Sequence, residues 1–474
     1  IIYERKYIMK LRSLIGTKSF YRAVLAIAVP VMIQNGITQF VGVLDNLMVG
    51  RLGTEQMSGV AIANQLIFIF NLCIFGGLSG AGIFGAQFAG KRDVDGIRNV
   101  FRFKLSVCII VCTVCLFALG FWSEPLISLF LHEGSAEGDL ALTLAYGLDY
   151  TRVMLWGLVP YALSQAYAST LRETGETVRP MAASIAAVVT NLVLNYLLIF
   201  GKFGLPALGA SGAAIATVIS RFVELALIVF WSHAHPERTP FFLGAYRSLR
   251  VPRALTVHIV QKGMPLLLNE ALWSMGMSLL NQCYSMRGLA AIAAVNICST
   301  VSQLFNVVFM SLGSSIGIVV GNLLGAGKAE EARDTDRKMI AFSVMTCFVL
   351  GGLLAAASGL IPELYNTTAE VKALAASFLV ISACSMPFHA FSHACYFTLR
   401  SGGQTKTTML FDSGYVWCIC IPVAFVLSRF TSIHIVPMFF ICTALEIVKC
   451  IAGYLFVKSG KWIRTIVPSP ASDG

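Results

Sequence analysis

Charged residues are scarce in this sequence. They make up 12% of its 474 residues, whereas hydrophobic residues make up 57%. A soluble globular domain carries about 25% charged residues. The shortage therefore excludes a water-soluble globular fold and predicts an all-α polytopic membrane protein that lies in the lipid bilayer.

Motifs for two common catalytic chemistries are also missing. The sequence contains no HExxH zinc motif and no GxxxxGK[ST] loop of the kind that cradles the phosphates of ATP. ATP hydrolysis by this chain is therefore not expected, and we predict that the protein is not an enzyme. The energy for any transport then comes from an ion gradient or from a partner, and no cofactor is expected besides a coupling Na⁺ or H⁺.

The cysteines and the positive charge do not indicate a binding class either. Most of the 13 cysteines stand inside apolar runs, where they are interpreted as small core residues. The net charge of +11 is compatible with nucleic-acid binding, but the basic residues lie in short loops between the apolar runs. A nucleic-acid partner is therefore not expected.

Long apolar runs are abundant. About 20 apolar residues cross a bilayer as a helix, and the sequence holds twelve such runs: 23–48, 57–80, 99–122, 146–169, 180–201, 210–232, 262–284, 290–315, 338–360, 373–397, 408–428 and 434–457. Lys and Arg are concentrated at the N-terminus, in every second loop and in the tail. Because cytoplasmic loops carry this excess, we predict a plasma-membrane protein with both termini in the cytoplasm.

The two halves of the sequence resemble each other. LRETGETVRPM at 171–181 recurs as LRSGGQTKTTM at 399–409, and FGAQFAGKRDVDGIR at 84–98 recurs loosely as VGNLLGAGKAEEAR at 320–333. Six helices in each half give both repeats the same orientation. We therefore predict two six-helix lobes related by a pseudo-two-fold axis along the membrane normal, with a substrate route between them.

The duplication also sets the predicted domain bounds. The N-terminal lobe and the C-terminal lobe are joined by a basic linker and flanked by two cytoplasmic segments. In chain order these parts are the cytoplasmic segment 1–22, the N-lobe 23–232, the linker 233–261, the C-lobe 262–457 and the cytoplasmic tail 458–474. A monomer is expected.

The first span carries a single acidic residue, Asp45. A carboxylate in hydrocarbon costs about 2.5–3.5 kcal/mol on insertion scales. Two interpretations are open at this point: Asp45 lies near a helix end and is hydrated, or it forms an ion site. Pro30 in the same span could bend the helix, either statically or as a hinge, and Gln34 is a further polar residue there.

Other polar residues are predicted at the depth of Asp45. Asn191 and Asn195 are four residues apart and share one face of the fifth span, and Thr217 lies about two turns into the sixth. A carboxylate with amide and hydroxyl oxygens can coordinate a hard cation or hold a proton. The alternative is that the Asn and Thr side chains only join helices by hydrogen bonds.

The second half carries two candidates in its inner part. Glu270 lies about eight residues inside the seventh span without a basic neighbour on its helix face, which favours a functional role. His389 in the tenth span can titrate near neutral pH, although a membrane histidine is more often a core residue. Asp412 is expected to be hydrated at the start of the eleventh span.

Two pairs of opposite charge lie three residues apart on single helices. They are Arg221 with Glu224, and Glu446 with Lys449. Side chains at this spacing meet on one helix face and can neutralise each other. We interpret both pairs as structural.

At this point the sequence resembles the multidrug and toxic compound extrusion (MATE) family over roughly residues 20–460. The segments that carry the resemblance are FVGVLDNLMVGRLG, GAQFAGKRD, LRETGETVRP, NLVLNYLLIFGKFGLPALGASGAAIAT, GNLLGAGKAEEAR and LRSGGQTK. The resemblance implies a cation-coupled antiporter of two six-helix lobes that opens a cleft alternately to each side. Small organic substrates, amphipathic or cationic, are then exported against Na⁺ or H⁺.

The resemblance also implies roles for individual residues. Asp45 matches the helix 1 acid that binds sodium or a proton, and Pro30 matches a helix 1 proline implicated in bending. Asn191, Asn195 and Thr217 match polar positions around that acid. These implied roles make Na⁺ at Asp45 the one metal ion that is expected.

Further matches lie in the second half of the chain. Glu270 matches the helix 7 acid of the NorM-like branch, which has an Asp where this sequence has His389. The DinF-like branch has an acid where this sequence has Asn195, so both Na⁺ and H⁺ remain open as the coupling ion.

Two other functions stay open from the sequence. A lipid-linked oligosaccharide flippase of the same superfamily predicts a broad cationic cleft, and Arg and Lys are nearly absent from the spans. A channel or receptor-like membrane protein needs neither duplicated lobes nor a buried acid.

Overall fold

The computed structural model describes residues 14–131 and 139–467, and all regular structure in these ranges is helical. Lipid offers backbone groups no hydrogen-bond partners, so a chain that crosses it satisfies them within helices. The predicted all-α fold class is confirmed. The predicted terminal segments 1–22 and 458–474 lie partly outside the described residues.

Twelve helical spans follow one another along the described chain. They are α1 Lys18–Gly50, α2 Thr54–Lys91, α3 Val94–Ser128, α4 Leu140–Met154 continued by Leu158–Glu173, α5 Val178–Phe200, α6 Gly209–Ala234, α7 Arg253–Ser285, α8 Leu289–Gly325, α9 Ala329–Ala357, α10 Ala369–Ser401, α11 Thr405–Phe430 and α12 Ile435–Lys458. Ten of these are long and apolar enough to cross a membrane by length and composition. The other two are α4, which a 3-10 turn interrupts, and α7.

Contacts divide the chain into two units. The first unit contains Ile33–Gly85 and Asp93–Ile259, and the second unit contains Ile1–Met32, Ala86–Arg92 and Val260–Gly474. The division falls inside two helices, within α1 directly after Met32 and within α2 after Gly85. The domain bounds derived from the sequence stay a prediction.

Each unit has its own apolar core. In the first unit, buried side chains of α1, α2, α4, α5 and α6 form one cluster. In the second unit, α7 to α12 form a larger cluster, and the start of α1 joins a further cluster with α8 to α11 and Trp462. Burial of apolar area is thus shared by many helices in each unit, which fixes the polar side chains between them.

The predicted linker is packed rather than loose. It contains two short 3-10 turns, Pro240–Phe242 and Ala245–Arg247, and Phe242 is buried against Phe101 of α3. The Arg102 guanidinium donates to the carbonyls of Gly244 and Ala245, at 3.0 Å each. Its last nine residues belong to α7.

The cysteines are free thiols, and most of them are buried. Cys112 and Cys115 form a Cys-x-x-Cys pair on α3, and the Cys112 thiol faces the carbonyl of Leu158 at 3.9 Å. Among the described residues, no group of three or more His, Cys, Asp or Glu is arranged to hold a metal ion. The interpretation of the buried cysteines as small core residues agrees with this packing.

Helices α5 and α6 approach closely where they are joined. A Cβ atom on Gly212 would lie 2.7 Å from the carbonyl oxygen of Leu198, so only glycine fits there. Gly201 ends α5 in the left-handed conformation with φ 62°, which favours glycine. This tight junction sets the register of α5 against α6, and therefore the positions of their polar side chains.

Candidate ion-coupling site

Four of the predicted residues form one hydrogen-bonded chain across three helices of the first unit. The Asn195 amide donates to Asp45 Oδ1 at 2.6 Å and to Asn191 Oδ1 at 3.1 Å. The Asn191 amide donates in turn to Thr217 Oγ1 at 3.2 Å. The structure thus brings together side chains of α1, α5 and α6, which we call the Asp45 cluster: Asp45, Asn191, Asn195 and Thr217.

The Asp45 cluster is embedded but not sealed. Asn191 is 5% exposed and Asn195 is 1% exposed, whereas Asp45 and Thr217 are half-buried. The helix spacing explains this, because residues four apart on α5 present both amides to the same groove. The carboxylate of Asp45 therefore keeps part of its surface exposed while both amides are buried.

The chemistry of the Asp45 cluster suits a small cation. No lysine or arginine of the described residues forms an ion pair with Asp45, and Asn195 Oδ1 is buried without a hydrogen-bond partner. One carboxylate with amide and hydroxyl oxygens offers the hard oxygen ligands that Na⁺ prefers, or a single proton acceptor. The residues present thus fit a monovalent ion.

Gln34 does not belong to the Asp45 cluster. It lies eleven residues before Asp45 on α1, about 16 Å along the helix axis. Its amide donates to Ser184 Oγ at 2.8 Å, and Arg172 donates to its Oε1 at 3.3 Å. The Ser184 hydroxyl donates to Glu224. Gln34 therefore joins α1 to α4 and α5 in a separate network.

The charges on α6 find partners on other helices. Arg221 donates to the carbonyl of Gly157 at 3.1 Å and lies 4.8 Å over the ring of Tyr161, and Glu224 accepts from Ser184. Both members of the predicted Arg221–Glu224 pair thus also contact other helices, and the structural role of the pair stays a prediction.

The remaining candidates lie in the second unit, where they do not form one cluster. The Tyr396 hydroxyl donates to Glu270 Oε1 at 3.4 Å. His389 Nδ1 lies 3.6 Å from Glu446 Oε1. Pro30 is buried within α1, two residues before the boundary between the units.

Asp412 is buried, so the expectation of a hydrated helix start is wrong. It lies in a π-helical turn of α11 at Leu410–Gly414, a widened turn often found at functional sites. It accepts from Lys449 Nζ at 2.7 Å and from the Asn269 amide at 2.9 Å. Lys449 also lies 3.9 Å from Glu446, which confirms that predicted pair. Sequence spacing shows partners on one helix but not those supplied by others.

The two repeats share one of these contacts, the one that Gln34 makes with Ser184. Pro30 precedes Pro265 by as many residues as Gln34 precedes Asn269. Likewise, Arg221 precedes Lys449 by as many residues as Ser184 precedes Asp412. The contact of Gln34 with Ser184 therefore has its counterpart in the contact of Asn269 with Asp412. We infer that this pair of contacts supports the architecture of each half.

The Asp45 cluster has no such counterpart. At the same offsets, its four positions are occupied in the second repeat by apolar residues: Leu280, Ile419, Val423 and Leu445. One half thus folds without these polar groups. Because the second repeat lacks the polar groups of the Asp45 cluster, a functional role for them is favoured over an architectural one.

Comparison with known proteins gives one match in each half of the chain. A family model described as MatE matches residues 30–197 and 265–426. The matched stretches span α1 to α5 and α7 to α11, in agreement with the internal duplication.

Curated relatives align over most of their length. "Probable multidrug resistance protein NorM" of Thermotoga maritima is 24% identical over 94% of this chain and 94% of its own. "Probable multidrug resistance protein YoeA" of Bacillus subtilis is 24% identical over 95% and 96%, respectively. "Multidrug resistance protein PmpM" of Pseudomonas aeruginosa is 25% identical over 86% and 84%.

Solved structures show the same fold. "Outward-facing conformation of a multidrug resistance MATE family transporter of the MOP superfamily" matches with a TM-score of 0.83 at 19% identity, over 95% of this chain and 98% of that chain. "Crystal structure of MATE in the straight conformation" matches with a TM-score of 0.83 at 18% identity, over 95% and 97%.

Proposed function

Because this multi-pass membrane protein belongs to the MatE family, we propose that it exports amphipathic or cationic organic compounds by antiport against Na⁺ or H⁺. The names of the curated relatives, which are multidrug resistance proteins, support export of such compounds. The proposal places the protein in the plasma membrane, with both termini in the cytoplasm.

The Asp45 cluster is the observation that carries the proposal. Asp45 is the only acidic residue of α1, and its Oδ1 takes the Asn195 amide hydrogen bond at 2.6 Å. A carboxylate that no described basic side chain neutralises attracts a cation in a medium of low dielectric constant. The second repeat has no acidic residue at the position that corresponds to Asp45, which indicates that the fold does not need this carboxylate.

The coupling follows from competition for one carboxylate. A bound ion and a cationic substrate cannot both neutralise Asp45, so each weakens the binding of the other by the same factor. An ion can shift a conformational equilibrium only by its difference in affinity for the two states. The boundary between the units inside α1, directly after Pro30 and Met32, supports Pro30 as the hinge that changes the environment of Asp45.

Glu270 is proposed as a secondary ionisable group. Its contact with the Tyr396 hydroxyl at 3.4 Å is long, so its carboxylate stays available to a proton or an ion. His389, beside Glu446, is a further group of this kind. We expect both to tune the ion dependence that Asp45 sets.

The test is ion-driven efflux of ethidium from proteoliposomes, with the sodium and the proton gradient dissipated separately. We expect Asp45→Asn to lower the ion-driven rate about tenfold or more, because contacts to a charged group are worth about 1.5–3 kcal/mol. Asp149→Asn is the matched control, since Asp149 pairs with Arg152 at an exposed position. Ion-driven efflux by Asp45→Asn at the rate of the control would refute the coupling role.

A further inference from the structure

The end of α2 belongs to the second unit, whereas the rest of the helix belongs to the first unit. This docked end, Ala86–Arg92, lies against the end of α8 without intervening side chains. A Cβ atom on Gly90 would lie 1.8 Å from the carbonyl oxygen of Asn322, and one on Gly325 would lie 1.9 Å from that of Gln87. The two backbones are therefore in direct contact, and glycine is required at both positions.

This contact has the symmetry of the repeats. The offset that relates Gln87 to Asn322 also relates Gly90 to Gly325. Gly90 packs on Asn322, and its counterpart Gly325 packs on Gln87, which is the counterpart of Asn322. The contact is therefore self-complementary, as in an isologous interface. We call this contact the glycine seam.

A third segment holds the glycine seam together. The segment 460–467 follows α12, and its Trp462 is 1% exposed. The Thr465 hydroxyl donates to the carbonyl of Leu324 at 2.7 Å, next to Gly325. The backbone N–H of Ile466 donates to Gln87 Oε1 at 2.8 Å. The segment therefore bridges the ends of α8 and α2.

Gln87 is the centre of this arrangement. Its side chain is fully buried, and its amide donates to the carbonyls of Ser401 at 3.0 Å and Arg464 at 3.1 Å. Because Ile466 donates to Oε1, both the nitrogen and the oxygen of the Gln87 amide have hydrogen-bond partners. A buried amide with this many partners fixes one arrangement of helix ends and tail.

We propose that the segment 460–467 is a latch that holds the end of α2 on α8, and that Gln87 positions it. The proposal rests on the proposed transport cycle: the end of α2 leaves the glycine seam when the transporter changes conformation, and the latch must release it. A latch of this kind makes release a control point of the cycle, in addition to ion binding at Asp45.

The experiment is hydrogen–deuterium exchange of the full chain in lipid nanodiscs, read on peptides that cover 460–467. We expect Gln87→Leu to raise the exchange rate of the latch about tenfold, as the loss of a buried hydrogen-bond partner predicts. In Gly90→Ala, the added Cβ separates the two backbones of the glycine seam, so this variant should also raise the exchange rate of the latch. The matched controls are Gln65→Leu, at an exposed position of α2, and Gly120→Ala, where an added Cβ meets nothing within 4 Å.

A second measurement separates a latch from a static contact. Saturating ethidium should change the exchange of the latch in the wild-type protein, and Gln87→Leu should change the efflux rate. Unchanged latch exchange in both Gln87→Leu and Gly90→Ala would overturn the docking, and a wild-type latch that ignores ethidium would overturn the release step. Failure of the proposed function looks different, because wild-type efflux would then be independent of both ion gradients while the docking results stand.

Discussion

Hydrogen bonds between side chains make Asp45 part of a cluster of four polar residues. The Asn195 amide donates to one oxygen of the carboxylate and to Asn191 Oδ1, and the Asn191 amide donates in turn to Thr217. The position of the carboxylate therefore depends on residues that do not touch it. Loss of one distant member should loosen the site without removing its charge.

The variant Thr217→Val tests this dependence. It removes the acceptor of the Asn191 amide, and an unpaired buried donor costs about 1–3 kcal/mol. We expect the ion concentration for half-maximal efflux to rise about tenfold, because 1.4 kcal/mol corresponds to a factor of ten. The measurement is ethidium efflux against a series of sodium and proton concentrations.

The control for this variant is Thr190→Val. The Thr190 hydroxyl donates to the carbonyl of Ala186 within α5 and contacts no member of the Asp45 cluster by hydrogen bond. Equal ion dependence in Thr217→Val and Thr190→Val would show that the chain of hydrogen bonds does not position Asp45.

Helix α11 is joined to its neighbours by buried charge rather than by apolar packing alone. Asp412 in its π-helical turn pairs with Lys449 of α12 and accepts from Asn269 of α7. The side chains of Asp412 and Lys449 are 12% and 9% exposed. Breaking a buried pair leaves an uncompensated charge, which costs about 3–5 kcal/mol.

The prediction for this element is a drop in thermal stability. Lys449→Met leaves both Asp412 and Glu446 without their cation, and we expect a marked fall of the apparent Tm in detergent. The double variant with Asp412→Asn should regain part of that loss, since one stranded charge is removed. Tryptophan fluorescence during heating measures both.

A surface pair provides the comparison. Lys372 pairs with Glu363, whose side chain is 64% exposed, and such pairs are worth about 0–1 kcal/mol. Lys372→Met should therefore leave the apparent Tm close to that of the wild type. An equal fall for Lys372→Met and Lys449→Met would contradict a stabilising role for the buried pair.

The whole molecule is organised by duplication and by the distribution of basic residues. Helix order and the two family matches repeat in the two halves, while Lys and Arg gather in alternate loops. With an even number of spans, we expect both termini on one side of the membrane. The positive-inside rule predicts that this side is the cytoplasm.

Reporter fusions test the orientation of the whole molecule. A green fluorescent protein fused after Val467 should fluoresce, and alkaline phosphatase at the same position should be inactive, because each reporter matures on only one side. Fusions after Gly204, in the loop between α5 and α6, should give the reverse. Active phosphatase after Val467 would contradict the proposed cytoplasmic location of the C-terminus.

Much of this organisation can be predicted from sequence because it depends on local composition. The runs of about 20 apolar residues predict the spans, as α1 and α8 show, since lipid demands helices wherever the chain crosses. The α-helical period also places Asn191 and Asn195 on one face of α5. Bounds are less predictable, because α1 and α2 extend beyond the hydrocarbon-length runs that identify them.

Contacts between distant helices cannot be predicted in the same way. Lys104 of α3 is fully buried and donates to Glu173 of α4 at 2.7 Å, yet nothing in either local sequence links them. Asp412 is similar, since its partners lie on α7 and α12. Burial of a charge depends on which helices pack together, and periodicity along one helix carries no information about that.

The sequence by itself determined the membrane class, the helical fold, the duplication and the resemblance that singled out Asp45. Each of these depends on composition, period or short motifs. Only the tertiary structure decided which polar groups meet: Asn195 with Asp45, Gln34 with Ser184, and Gln87 with the latch. The physical reason is that a hydrogen bond needs its two atoms within about 3 Å, and packing of distant segments alone sets that distance.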